Sequence, residues 1–83
     1  MNELSRLRWR CRRGIREMDL LLQGFLDASY PELSAAERRA FERLLDEPDL
    51  DLFEWICGRA EPHDPDYRAL VGRLRGLRPD ATG

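Results

Sequence analysis

The sequence predicts an all-α protein, a compact five-helix bundle in a single domain. Apolar residues recur at helical spacing along the chain, with no sustained alternation of the kind that marks strands. Proline, glycine and capping residues divide this pattern into five short segments. A chain of 83 residues supports one domain and is too short for two. We assign residues 1–78 to the domain and expect residues 79–83 to be a disordered tail.

The first two predicted helices are separated by Gly14. Leu4, Leu7 and Cys11 mark one face of a helix over roughly residues 3–12. The second helix should end before Pro31, because the residue preceding a proline avoids the helical region. The apolar face of this second helix is predicted to hold Met18, Leu21, Leu22, Phe25 and Leu26.

The other three helices carry start signals in the sequence. The expected caps are Ser34 with Glu37 for the third helix, Asp49 or Asp51 for the fourth, and Asp64 before Pro65 for the fifth. Gly58 and Gly76 are expected to end the fourth and fifth helices. The predicted core residues of these three helices are Ala40, Phe41, Leu44, Leu45, Leu52, Phe53, Ile56, Cys57, Tyr67, Leu70, Val71, Leu74 and Leu77.

Charge is distributed unevenly along the chain. Residues 1–16 have a net charge of +5, residues 17–66 of −10 and residues 67–83 of +3. A basic end joined to an acidic middle predicts a polarised surface that could steer a charged partner. The overall pI of about 5.4 and the absence of a second basic helix argue against a nucleic-acid binder, although Trp9 and its arginines could contact phosphates and stack on a base.

The sequence gives no support for a metal-binding, membrane-inserted or secreted protein. The two cysteines, Cys11 and Cys57, lie far apart and there is one histidine, His63, so no zinc site and no bound metal is expected. We expect both cysteines to be buried as small hydrophobic residues. No apolar run is long enough to insert into a membrane, and the N-terminal segment lacks the apolar stretch of a secretory signal, so we expect a cytoplasmic protein.

Trp9 is predicted to point away from the core. If Leu7 faces inward, Trp9 lies roughly 200° around the helix and would share an outward face with Arg6, Arg13 and Arg16, provided that the helix continues. Tryptophan and arginine are the residue types enriched in binding hot spots. The alternative is that Trp9 packs over the neighbouring helix and the arginines are only solvated.

Arg13, Gly14 and Glu17 are predicted to cluster at one turn. Gly14 allows either a positive φ with close approach of a partner backbone, or a simple helix C-cap. If Gly14 breaks the helix, Glu17 falls in the first turn of the second helix, where the helix dipole favours its carboxylate. No nucleophile with a neighbouring base accompanies these residues, so catalysis by this chain is not expected.

The segment from Arg13 to Glu17 resembles the R-G-x-x-E motif of the SdhE family of FAD assembly factors. Its surroundings agree with this family: Trp9 and Arg12 precede it and Met18-Asp19 follow it. Residues 41–45 and 51–55 are similar to later landmarks of the family, while Pro48 lies further from the second landmark than the family pattern suggests. The resemblance extends over nearly the whole chain before Pro79.

The resemblance implies a chaperone-like function. Family members bind the flavoprotein subunit of succinate dehydrogenase, and often that of fumarate reductase, and promote the bond between a client histidine and FAD. FAD then belongs to the client, with no cofactor bound tightly by this chain. The client-binding residues implied are Trp9, Arg12, Arg13, Gly14, Arg16, Glu17 and Asp19. The alternative is a small helical adaptor, such as an antitoxin-like protein-binding module, without a role in flavinylation.

Overall fold

The computed structural model describes residues 3–77. This part of the chain contains five α-helices and no strand, which confirms the all-α prediction. The elements are α1 (Glu3–Arg10), α2 (Arg16–Ala28), a 3₁₀ turn (Tyr30–Glu32), α3 (Ala35–Leu44), α4 (Asp49–Cys57) and α5 (Pro65–Gly76). The tail expected at residues 79–83 lies outside the described residues.

Two of the three predicted N-caps are confirmed, and the third is wrong. Ser34 and Glu37 form a reciprocal capping box at the start of α3, and the Asp64 side chain accepts a hydrogen bond from the Asp66 N–H at the start of α5. The N-cap of α4 is Pro48, which has no side-chain acceptor, in place of an aspartate. Asp49 is instead the first residue of α4, and its carboxylate accepts a hydrogen bond from Arg13.

The core is continuous through all five helices. Phe25 of α2 stacks on Phe41 of α3 with the ring centroids 5.1 Å apart, and Tyr30 packs against Phe41 from the 3₁₀ turn. Helical spacing predicted that Phe25 and Phe41 face inward, and both are fully buried. The buried hydrophobic residues are Leu7, Cys11, Met18, Leu22, Phe25, Leu26, Tyr30, Leu33, Ala40, Phe41, Leu44, Leu45, Leu52, Ile56, Tyr67, Leu70, Val71 and Leu74.

Five predicted core residues are less buried than expected. Leu4 and Leu77 are exposed, because they lie in the first turn of α1 and just after the last residue of α5, where few elements surround them. Leu21 and Phe53 pack on the edge of the core and are only partly buried. Cys57 is half-buried at the last residue of α4, next to Gly58, whose φ of 81° ends the helix as predicted.

The helix packing brings two linkers together. α2 packs against α1 and α5, and α5 packs against α3 and α4. The linker between α1 and α2 (residues 11–15) is held against the linker between α3 and α4 (residues 45–48) by hydrogen bonds of Arg13. Among the helices of residues 3–77, none has the length and apolar character needed to cross a bilayer.

Candidate functional site

The α1–α2 linker contains the predicted motif. α1 ends at Arg10, two residues before the predicted end, and the N–H groups of Cys11 and Arg12 close its last turn by bonding to carbonyls of Leu7 and Trp9 at 3.0 and 3.1 Å. Gly14 has φ 86°, a left-handed conformation that suits glycine. Gly14 is not the C-cap of α1, because that helix ends four residues earlier. A sharp turn therefore separates the two helices.

Asp19 braces this turn from inside α2. Its two carboxylate oxygens accept hydrogen bonds from the backbone N–H of Arg13 at 2.8 Å and of Gly14 at 3.1 Å. The N-cap of α2 is Ile15, which offers no side-chain acceptor, so Asp19 is the acidic group that satisfies the linker amides. The half-buried Asp19 side chain thus keeps the positive φ of Gly14 in place.

Arg13 connects the two linkers. Its Nε donates to the Asp49 carboxylate at 2.6 Å, and its terminal nitrogens donate to the carbonyls of Leu45 at 2.7 Å, Glu47 at 2.9 Å and Arg10 at 3.0 Å. The Arg13 side chain is only 14% exposed. A guanidinium has five donors in a planar fork, so one side chain can satisfy several carbonyls at helix ends. The expectation that Arg13 shares the outward face of Trp9 is wrong, because it required α1 to continue.

Trp9 lies on the surface, as predicted. Its side chain is 64% exposed, which excludes the alternative in which it packs over a neighbouring helix. The guanidinium of Arg12 lies 5.0 Å from the ring centroid, a cation–π distance. The pair forms an exposed aromatic and cationic platform where the end of α1 meets the linker.

Glu17 and Arg16 begin α2 on the other side of Gly14. Glu17 lies in the first turn of α2, which confirms the prediction made for a broken helix. Both side chains are exposed, and neither has an ion-pair partner within residues 3–77. An exposed carboxylate and an exposed guanidinium are therefore available to an incoming surface at the start of α2, just after the Gly14 turn.

The tertiary structure neutralises half of the basic N-terminal segment. Three of its six arginines pair with acidic residues from later in the chain, as Arg8–Asp27, Arg10–Asp46 and Arg13–Asp49. The hydrogen bond from Arg8 lowers the pKa of Asp27. Arg6, Arg12 and Arg16 are exposed and form no ion pair with the described residues, so they are the cations that a partner would meet.

The groups at the turn are suited to recognition more than to bond chemistry. Cys11, the nearest thiol, is fully buried, and burial raises its pKa to about 11, which disfavours the nucleophilic thiolate. Across residues 3–77 no group of three or more His, Cys, Asp or Glu side chains could hold a metal ion. The turn carries an exposed aromatic ring and exposed charged groups, and the Asp19 carboxylate holds its backbone by two hydrogen bonds.

The sequence predicted the position of the turn, but it did not predict the distant groups that accept hydrogen bonds from Arg13. Asp49 and the carbonyls of Leu45 and Glu47 are 32 to 36 residues from Arg13, and no local pattern links them. The acid at the start of α4, Asp49, was predicted to cap its own helix, and the structure shows that it accepts a hydrogen bond from Arg13. Asp19 was predicted to bind a partner, and the structure shows that its carboxylate is already engaged by two backbone amides.

A family model and several known proteins are similar to this chain over most of its length. The model of a family described as "Flavinator of succinate dehydrogenase" (Sdh5) matches residues 5–78. A protein named FAD assembly factor SdhE from Methylococcus capsulatus is 46% identical over 77 residues, covering 93% of each chain. The protein of that name from Pseudomonas aeruginosa is 45% identical over 79 residues, covering 94% of each. That from Coxiella burnetii is 33% identical over 73 residues, covering 88% of this chain and 89% of its own.

Proposed function

This chain belongs to the family of succinate dehydrogenase flavinators, and we propose that it is an assembly factor that promotes covalent attachment of FAD to the flavoprotein subunit of succinate dehydrogenase. The match covers residues 5–78, which include the Arg13–Glu17 motif. We extend the proposal to the flavoprotein subunit of fumarate reductase as a second client. The proposed compartment is the cytoplasm, which two unpaired cysteines fit.

The proposed contribution of this chain is positioning, without enzymatic chemistry of its own. The reacting groups are a client histidine and the flavin, and FAD is held by the client. Orienting two reacting groups correctly can supply about 7–11 kcal/mol toward a barrier. An assembly factor that stabilises the reactive conformation of the client could therefore accelerate the reaction substantially without supplying a nucleophile or base.

The α1–α2 turn is the proposed client-binding site. The observation that carries this proposal is the arrangement around Gly14: a left-handed glycine with open space beside it, set between an exposed Trp9–Arg12 platform and an exposed Glu17. Nothing lies within 4 Å of the position that a Cβ on Gly14 would take, so a client backbone can approach closely there. Arg16 adds a cation on the same turn.

Arg13 and Asp19 take part in the proposed site in a different way. Their polar groups are occupied by intramolecular hydrogen bonds, so we assign them to holding the turn in its binding conformation. Their substitution should then reduce client binding through loss of shape. This distinguishes them from Trp9 and Glu17, whose side chains remain available to the client.

The function is tested by following covalent flavin on the client. Purified client apoprotein is incubated with FAD, with and without this chain, then denatured and separated on a gel. Covalent flavin survives denaturation and fluoresces in the gel, whereas bound flavin is lost. We expect fluorescence to rise at least several-fold with this chain. Client binding without any rise in covalent flavin would contradict the proposal and support the helical adaptor.

A further inference from the structure

The Arg13 side chain is anchored mainly outside the motif. It donates to the carbonyls of Leu45 at 2.7 Å and Glu47 at 2.9 Å in the α3–α4 linker, and to the Asp49 carboxylate at 2.6 Å at the start of α4. Among the acceptors described for this side chain, Asp49 contributes a side-chain oxygen, whereas the others are backbone carbonyls. A substitution at Asp49 can therefore remove one anchor of Arg13 without altering the backbone of the linker.

The Asp49 contact differs from the carbonyl contacts in charge. Its donor and acceptor are both ionised, whereas the carbonyl oxygens are neutral. Opposite charges in contact attract more strongly where water is partly excluded, and the Arg13 side chain is only 14% exposed. We therefore expect the Asp49 carboxylate to fix the orientation of the guanidinium more firmly than any one carbonyl does.

The backbone of Arg13 is the first part of the Gly14 turn. The N–H groups of Arg13 and Gly14 donate to the two carboxylate oxygens of Asp19 at 2.8 and 3.1 Å. Arg13 is thus held on one side by α2, through its backbone, and on the other by α4, through its side chain. Gly14 has no neighbouring atom within 4 Å of its Cβ position, so packing around that position does not hold it. The conformation of Gly14 then depends on how firmly Arg13 is held.

We propose that Asp49 is a positioning residue for client binding: acting through Arg13, it keeps the Gly14 turn in the conformation that the client binds. This inference rests on the function proposed above. It assigns a role in that function to an acid 36 residues away from Arg13, outside the Arg13–Glu17 motif. Asp49 itself need not touch the client, because its effect is transmitted by an intramolecular hydrogen bond.

Two other aspartates separate this role from simpler ones. Asp51 lies with Asp49 in the first turn of α4, where either acid interacts favourably with the helix dipole, but it accepts no hydrogen bond from Arg13. Asp46 also joins the two linkers, by an ion pair with Arg10 in place of Arg13. Replacing any of the three by alanine changes the net charge equally, so the variants differ in the contact that each removes.

The first test is the affinity of each variant for the purified client. We expect Asp49→Ala to weaken binding about 3- to 30-fold, and Asp46→Ala and Asp51→Ala to bind nearly as wild type. The assay is run at a temperature where circular dichroism shows every variant to be fully folded. Equal losses for Asp49→Ala and either control would contradict the proposal, because they would mean that charge or helix stability is responsible.

Hydrogen exchange of single amides, followed by NMR on the free chain, tests the effect on the turn. Gly58 is the reference, because its N–H donates to the Trp55 carbonyl at 3.1 Å at the other end of α4. Asp49→Ala should accelerate exchange of the Gly14 N–H at least about threefold and leave that of Gly58 unchanged. Equal acceleration at both amides would show that α4 as a whole is loosened, and would overturn the positioning role.

A double-mutant cycle on client affinity tests whether Asp49 acts through Arg13. Arg13→Gln removes the charge that Asp49 contacts, so adding Asp49→Ala to this variant should change affinity less than about twofold. The full loss in the Arg13→Gln background would show that Asp49 acts by another route, and would contradict the proposal.

Client affinity and covalent flavin are separate readouts. If wild-type chain raises covalent flavin and Asp49→Ala binds the client normally, the role of Asp49 is wrong and the proposed function stands. If wild-type chain raises no covalent flavin, yet client affinity depends on Asp49 and not on Asp46 or Asp51, the role of Asp49 stands and the function is wrong. If wild-type chain does not bind the client, both are wrong.

Discussion

Gly14 and Gly58 are the two glycines with a left-handed backbone, at φ 86° and 81°, and each has open space where a Cβ would lie. Placing a non-glycine residue in such a conformation costs about 1–2 kcal/mol, whichever site it occupies. Gly58 ends α4 and is remote in sequence from the Arg13–Glu17 motif. It therefore serves as a matched control that carries the same backbone strain without belonging to the candidate site.

We predict that Gly14→Arg and Gly58→Arg lower the melting temperature by a similar amount, roughly 5–15 °C for a domain of this size. At a temperature where both are folded, Gly14→Arg should abolish most client flavinylation, because its side chain occupies the space into which the client backbone approaches. Gly58→Arg should remain active. Thermal melts and in-gel flavin fluorescence check this, and equal activity of the two folded variants would refute the assignment of Gly14.

Cys11 and Cys57 should differ in reactivity. Burial removes Cys11 from solvent and raises its pKa to about 11, whereas Cys57 is only half-buried. At pH 8 we predict that a thiol reagent labels one cysteine of the native protein and both after denaturation. Mass spectrometry measures the number of labels, and Cys57→Ser provides the control, with no label expected on the native variant. Rapid labelling of Cys11 in native protein would show that the end of α1 opens readily.

At the scale of single elements, α3 depends on its capping box. The Ser34 hydroxyl accepts a hydrogen bond from the Glu37 N–H at 3.1 Å, and the Glu37 carboxylate accepts one from the Ser34 N–H at 2.8 Å. We predict that Ser34→Ala destabilises the protein by about 1 kcal/mol, since it leaves a helix N–H without its acceptor. Urea denaturation followed by circular dichroism measures this. Ser34→Asp is the control and should retain most of the stability.

α4 illustrates how an element can begin without a side-chain cap. Its N-cap is Pro48, and the acid at its first position bonds to Arg13 instead of to its own helix amides. An acid in the first turn still interacts favourably with the helix dipole. The start of α4 is therefore set jointly by a local signal and by a side chain from the distant α1–α2 linker.

At the scale of the whole molecule, the surface charge should influence client association. Arg6, Arg12 and Arg16 are exposed without an ion pair among residues 3–77, although the chain carries a net charge of −2. We predict that the association rate with the client falls about 10-fold between low and high salt, because screening removes electrostatic steering. Stopped-flow or biosensor kinetics measure this rate.

A matched pair of variants locates that effect. Arg16→Gln and Arg59→Gln change the net charge equally, but Arg59 pairs with Glu54 at the far end of α4. Only Arg16→Gln should reduce the association rate and weaken its salt dependence. Equal rates for both variants at low salt would mean that net charge, and not the surface around the turn, governs the encounter.

Acid should also destabilise the whole domain. The pKa of Asp27 is lowered by the hydrogen bond from Arg8, that of Glu37 by the backbone amide at the helix cap, and that of Glu61 by Arg75. A carboxyl with a lowered pKa in the folded state stabilises that state above its ordinary pKa, and the contribution is lost as the pH falls through the lowered value. We predict a melting temperature that is steady from pH 7 to 5 and declines below about pH 4.5. Asp27→Asn should make the decline shallower, and an unchanged slope would contradict the contribution of this pair.

The helix number, two of the three predicted N-caps and most of the core were determined by the sequence alone, because they depend on residues within a few positions of one another. Helical spacing placed Leu22, Phe25 and Phe41 inward, and Ser34 and Asp64 carry the cap chemistry in their own side chains. The motif turn was located for the same reason, since Gly14 interrupts a local pattern.

Only the tertiary structure decided what the motif residues do. Arg13 meets Asp49 across 36 residues of chain, and its side chain, expected on the surface, is largely covered and connects two linkers. The same packing pairs three of the six N-terminal arginines and leaves Arg6, Arg12 and Arg16 exposed without an ion pair among residues 3–77. The physical reason is that hydrogen bonds and ion pairs form between whichever groups the fold brings within about 3 Å, and sequence spacing carries no information about that distance once the chain has turned several times.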